Sequence, residues 1–172
     1  MSQYIDIINN IKEKSTPDWL THSQREAYTQ ISVRYQTHKV INLYGSEGVG
    51  KTFIGWICCK ELNFPHTTDI SEIKNVETVI LDNFQPSRSQ SRSLRPLMLQ
   101  NNIERIIVLT RQKIPDDIIH IELDLDMDDV REFRHNLYMY LNIQYQDDVF
   151  HTNLHDMIIA SIKSLDVARG IE

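Results

Sequence analysis

Lys51 and Thr52 close the run Gly45-Ser46-Glu47-Gly48-Val49-Gly50-Lys51-Thr52, whose spacing Gly-x-x-x-x-Gly-Lys-Thr suits one kind of chemistry, the holding of a phosphate chain. Glycines let the backbone curl so that successive N–H groups point at the α- and β-phosphates, and a side chain at Gly48 or Gly50 would limit that approach. The lysine ammonium reaches β- and γ-phosphate oxygens, and the threonine hydroxyl is a hard oxygen ligand for magnesium. Two other residues carry complementary chemistry. Asp82 ends the apolar run Val79-Ile80-Leu81 and offers a carboxylate to magnesium or its water. Arg111 follows Ile106-Ile107-Val108-Leu109-Thr110. If that segment lies beside the one before Gly45, it brings a hydroxyl and a guanidinium to the terminal phosphate, where Arg111 reads it through charge-assisted hydrogen bonds. The expected nucleotide contacts are therefore Gly45 through Thr52. Thr52 and Asp82 are expected at magnesium, and Lys51, Asp82 and Arg111 at the reacting phosphate.

These residues work together only if strands and helices bring them to one edge. Residues 39–44 (KVINLY) read as a buried strand ending in glycine, and the loop then opens a helix from Lys51 to about Leu62. Further strands are predicted over 76–82, 105–110 and, more weakly, 119–125, with a helix within 86–102. Val130, Phe133, Leu137 and Tyr140 recur at helical spacing over 128–141, behind Asp128 and Asp129 at the positive end of the helix dipole. A last helix is expected over 152–168. Upstream, a short helix is expected over 2–14, with Thr16 capping a start at Pro17 and a second helix filling much of 20–36. Alternating strands and helices imply an α/β fold with a mainly parallel sheet between helical layers and a ligand at the strands' carboxyl ends. The expected division is 1–36 as N-terminal helices, 37–126 as the core and 127–172 as C-terminal helices, all in one compact domain.

Composition narrows the function. At 172 residues, 41% hydrophobic and 24% charged, the chain reads as a soluble domain. Its formal charge of −6 argues against broad electrostatic attachment to DNA or an anionic membrane. No apolar run approaches the roughly 18–20 residues of a bilayer span, and the N-terminus lacks a signal-peptide pattern, so a cytoplasmic setting is expected. The two cysteines, Cys58 and Cys59, are adjacent and read as small apolar residues rather than a staple. His151 and His155 lie four apart without the intervening Glu of a zinc-protease helix.

Taken together, GSEGVGKT, VILDN and IIVLTR resemble the nucleotide-binding core of the AAA+/STAND group of P-loop ATPases, over roughly residues 37–140. The resemblance implies a three-layer sandwich, ATP with magnesium, and use of the ATP state to control assembly with a protein partner or further copies of the chain. It gives Lys51 and Thr52 the P-loop roles, Asp82 the Walker B role and Arg111 the sensor role. The chain departs from the pattern in two ways. Asn83 stands where the group usually carries an acidic residue that polarises water, and an amide is no general base at neutral pH. Glu47 is the nearest substitute in sequence. The C-terminal region also holds too few residues for a full lid. Three readings follow: an ATP-dependent switch or assembly ATPase within a larger complex, a small-molecule or nucleotide kinase with Ser87–Arg95 as a lid, and a non-hydrolysing scaffold. In the last, Arg88, Arg92 and Arg95 would meet DNA phosphates, although no residue pattern establishes a nucleic-acid partner.

Overall fold

The run Val40–Tyr44, led by β-branched Val40 and Ile41, becomes β1, an inner strand of a computed structural model that describes residues 2–84, 94–115, 117–143 and 153–168. The same sheet holds β2 (His66–Thr67), β3 (Val76–Leu81), β4 (Ile103–Thr110) and β5 (Ile119–Glu122). Their order across the sheet is β2-β3-β4-β1-β5, and every pairing is parallel. Tyr44 pairs with Thr110, so the loops leaving β1 and β4 emerge side by side.

A parallel sheet must be covered on both faces, and strand alternation divides its side chains between two layers. Ile41, Leu43, Ile80, Ile107, Leu109 and Ile121 pack with Ile54 and Ile57 of α3 (Lys51–Glu61) and with Ala27 and Ile31 of α2 (His22–Arg34). Val79, Leu81, Ile106 and Val108 point the other way, to Leu94 and Met98 of α4 (Leu94–Asn101). The fold is the expected three-layer α/β sandwich. Outside it, α1 (Ser2–Lys14), α5 (Met127–Leu141) and α6 (Leu154–Ala168) share a smaller core built on Ile11, Trp19, Leu137 and Ile158, with Phe53 and Trp56 of α3 beside it.

Several boundaries differ from expectation. Pro17–Trp19 is only a 3-10 turn; Thr16 makes no side-chain cap, and extended Leu20 (ψ 135°) separates the turn from α2. Thr21 stands before the true helix start, and its N–H donates to Gln24 Oε1 at 3.1 Å. Burial of Trp19 and Leu20 holds this break. β5 stops at Glu122 because the chain must turn so that Asp126 can cap α5, accepting from the N–H groups of Asp128 (2.8 Å) and Asp129 (2.9 Å). β2 was not expected from sequence, being only two residues long. The expected helix within 86–102 is described from Leu94 onward; Arg88 and Arg92 lie outside the described residues, as does His151. Cys58 is buried, and burial pushes its thiol up to about 12, while Cys59 is half-buried and likewise unpaired.

Asp129 ties the outer helices to the sandwich. Its buried carboxylate accepts from Ser23 N–H (2.9 Å), Ser23 Oγ (2.7 Å) and Asp126 N–H (3.0 Å), joining the first turns of α2 and α5. Burial would raise this carboxyl, but the hydrogen bonds outweigh it and hold the group below its ordinary 3.8. A depressed folded value means its stabilisation is complete above the unfolded value and fades as pH falls through the folded one. Asp129→Ala leaves those donors without an acceptor, and denaturant unfolding near pH 7 should register a loss of about 3 kcal/mol. The loss should shrink in strong acid; an unchanged midpoint at pH 7 would contradict this account.

Candidate nucleotide site at the carboxyl edge

The loop from Gly45 to Gly50 joins β1 to α3 at the sheet edge where Leu81 and Thr110 also end. Gly48 (φ 80°) and Gly50 (φ 95°) take left-handed backbone, which curls the chain tightly before α3 begins. Space is as restricted as conformation. A Cβ at Gly48 would collide with the Asn153 side chain, and one at Gly50 with that of Gln24. Those two neighbours also hold the loop from outside. Gln24 Nε2 donates to Val49 O at 3.0 Å, Asn153 Nδ2 donates to Glu47 O at 3.3 Å, and Leu154 N–H donates to Gly48 O at 3.1 Å. With these carbonyls engaged on the outer side, the curl has N–H groups to offer an anion at the N-terminal end of α3.

Lys51 points back under the loop, its Nζ donating to Gly45 O at 2.7 Å and Ser46 O at 2.6 Å. Burial, helped by the Arg111 charge, lowers its pKa, while Asp82 and Glu47 act in the opposite direction. Thr52, one residue further, is near enough to the carboxylate of Asp82, just past β3, to favour its ionised form. Val49 is buried in the core beneath the loop, and Ser46 is exposed.

Asp82 is 5% exposed, and its position is fixed from several directions. Its backbone N–H donates to Thr67 O at 2.8 Å, its Oδ1 accepts from Asn83 N–H at 2.8 Å, and His66 Nε2 lies 3.3 Å from Oδ2 without aligned hydrogen-bond geometry. Burial works to raise this carboxyl, and the contacts of His66, Thr52 and the Asn83 N–H overcome it, so the group stays below the ordinary value. Thr52 and Asp82 therefore present a hydroxyl and an ionised carboxylate together. That hard-oxygen donor set fits magnesium.

Arg111 lies across the loop, its Nη2 2.9 Å from Glu47 Oε2. Thr110, just before it, makes two hydrogen bonds within the protein. Its hydroxyl donates to Gln112 O (2.7 Å) and accepts from Asn42 Nδ2 (2.7 Å), bonds that brace the strand end, while the residue also lines the cavity beside Arg111. Asn83 is exposed in left-handed backbone (φ 56°), a conformation that asparagine tolerates better than glutamate. Glu47, the substitute base suggested by sequence, is engaged with Arg111.

A cavity of about 430 Å³ runs from this polar end into an apolar one. Lys51, Thr52, Asp82 and Arg111 line it together with Ile8, Ile11, Trp19, Phe53, Trp56, Phe133, Leu137 and Ile158. Tyr4 of α1 and His155 of α6 also line it, and the tyrosine hydroxyl sits 2.8 Å from His155 Nδ1. Sequence reasoning missed Gln24, Asn153 and His66, which come from elements remote from the loop in sequence. A glutamine or asparagine outside a motif gives no local signal of such a partner.

No family model matches the chain, and no curated protein does. Solved structures do. The replication initiator DnaA bound to AMPPCP and single-stranded DNA is 15% identical with a TM-score of 0.61, over 85% of this chain and 60% of that one. AMPPCP-bound DnaA from Aquifex aeolicus is 15% identical with a TM-score of 0.59, over 86% and 62%. NtrX from Brucella abortus is 14% identical with a TM-score of 0.56, over 98% and 56%. The chain thus spans about three fifths of the initiators' length. At such identities the likeness concerns the backbone alone: this chain has the α/β fold of a P-loop NTPase, with a parallel sheet between helical layers.

Proposed function

We propose that the chain binds ATP with magnesium and acts as a nucleotide-dependent switch or assembly ATPase within a larger protein complex. The observation that carries this reading is the continuous cavity with a phosphate loop, Thr52 and Asp82 at one end and an aromatic wall at the other. The base and ribose would enter between Trp19, Phe53, Trp56 and Phe133, and the phosphates would lie along Gly45–Thr52. Lys51 would exchange its loop carbonyls for phosphate oxygens, and Arg111 would contact the terminal phosphate. Magnesium held by Thr52 and Asp82 would neutralise charge on the phosphates. The AMPPCP-bound initiators lend ATP support over GTP.

The switch reading follows from what surrounds the terminal phosphate position. Asn83, the residue after Asp82, is an amide without basicity. The isolated chain should therefore bind ATP and turn it over slowly, on the order of 10⁻³ per second, as P-loop NTPases do without a partner's catalytic group. Titration calorimetry with ATP and GTP, beside a phosphate-release assay on protein of measured mass, checks both parts. Saturable magnesium-dependent ATP binding with that low rate is the expected result. Failure to bind either nucleotide would remove the nucleotide reading, and fast turnover by a proven monomer would remove the switch.

A further inference from the structure

Arg111 and Glu47 approach from separate elements, the end of β4 and the phosphate loop itself, and meet at 2.9 Å. Both side chains are largely exposed, 62% and 68%, so the pair is weak and exchangeable rather than a fixture of the core. The loop bearing Glu47 is held from outside through its backbone, with Asn153 Nδ2 on Glu47 O and Leu154 N–H on Gly48 O. The Glu47 carboxylate is therefore not needed to keep the loop in shape. No described hydrogen bond or ion pair joins it to Lys51, Thr52 or Asp82: Lys51 donates to the carbonyls of Gly45 and Ser46, and Asp82 accepts from the Asn83 N–H beside His66. The described partner of Glu47 is the guanidinium best placed to meet a third phosphate.

Resting on the nucleotide reading above, we propose that Glu47 sets how strongly the site prefers a nucleoside triphosphate over a diphosphate, by competing with the terminal phosphate for Arg111. A triphosphate must displace the carboxylate to reach the arginine. A diphosphate has no terminal group to make that exchange and leaves the pair alone. Glu47 thus lowers the ATP:ADP preference below what Arg111 alone would give, and keeps the two nucleotide states closer in affinity. That suits a device that must release its triphosphate state.

The test is a four-protein comparison of magnesium-dependent ATP and ADP affinity by calorimetry: wild type, Glu47→Gln, Arg111→Gln and the double variant. Glu47→Gln should tighten ATP about three- to fivefold, the scale of an exposed ion pair, and change ADP less than about twofold. Arg111→Gln should weaken ATP and leave ADP nearly unchanged. The double variant should show the same ATP:ADP ratio as Arg111→Gln, because without the arginine there is nothing to compete for. If Glu47→Gln tightens both nucleotides equally, or if its effect persists without Arg111, Glu47 acts by general repulsion and the proposal fails. An unchanged ratio in Glu47→Gln also defeats it while leaving the nucleotide site standing; absence of binding by the wild type defeats both.

Discussion

Lys51→Ala should weaken magnesium-ATP binding by about a hundredfold while the protein keeps its fold. The lysine stands at the first residue of α3, where the loop's N–H groups and the helix N-terminus already favour an anion. Its ammonium adds a full positive charge in a part-buried position, with Nζ already aimed at the oxygens of Gly45 and Ser46. Turning from two carbonyls to two phosphate oxygens replaces neutral acceptors with charged ones. Such charge-assisted bonds contribute roughly 1.5–3 kcal/mol each, so losing about 3 kcal/mol in all corresponds to that hundredfold. The fold does not depend on the lysine in the same way, since the core of α3 is Ile54, Ile57 and Cys58. Calorimetry gives the affinity, and a thermal melt without nucleotide checks the fold. A variant that melts like wild type and still binds ATP with wild-type affinity would mean that the phosphates lie elsewhere.

What the sequence made legible follows from how local each signal is. Gly45–Thr52 carries its own geometry: the glycines permit the left-handed turns, and the residues after them begin a helix. Apolar runs at Val40, Val79 and Ile106 announce buried parallel strands because both their faces are covered, and those strands bring Asp82 and Arg111 to the loop's edge. Asp128 and Asp129 did mark the start of α5, but the cap is Asp126 and Asp129 turns inward to Ser23. What was not legible depends on contacts between distant segments. Gln24 and Asn153 reach the loop from α2 and from the start of α6, more than twenty and about a hundred residues away. Asn83 read as a missing catalytic acid. Its backbone conformation adds a second reason for its identity, since Asn63, Asn83, Asn102 and Asn142 all take left-handed backbone just past the ends of α3, β3, α4 and α5. A pattern in which asparagine repeatedly closes an element was present in the sequence and carried a signal that hydrophobic periodicity does not register.

Asp82→Asn separates the carboxylate's two duties, and its consequences differ from those of Lys51→Ala. The amide keeps the shape and an oxygen to accept from Asn83 N–H, but it loses the charge that would hold magnesium beside Thr52. ATP binding without magnesium should stay within about twofold of wild type, because the loop and Lys51 remain. The gain that magnesium gives the wild type, on the order of tenfold or more for an ion shared between protein and phosphates, should largely vanish. Titrations with magnesium and with a chelator measure both. A pH series supplies an independent check. The Asp82 carboxyl is held below its ordinary 3.8, so its stabilising contacts are complete above the unfolded value and are lost as pH falls through the folded one. Wild-type stability should therefore fall more steeply than that of Asp82→Asn in that acid window, while the two curves run parallel above it. Magnesium enhancement that survives in Asp82→Asn would move the metal off this carboxylate, and Asp82 would then be a structural anion held by Thr52, His66 and the Asn83 N–H, with its depressed pKa serving the fold alone.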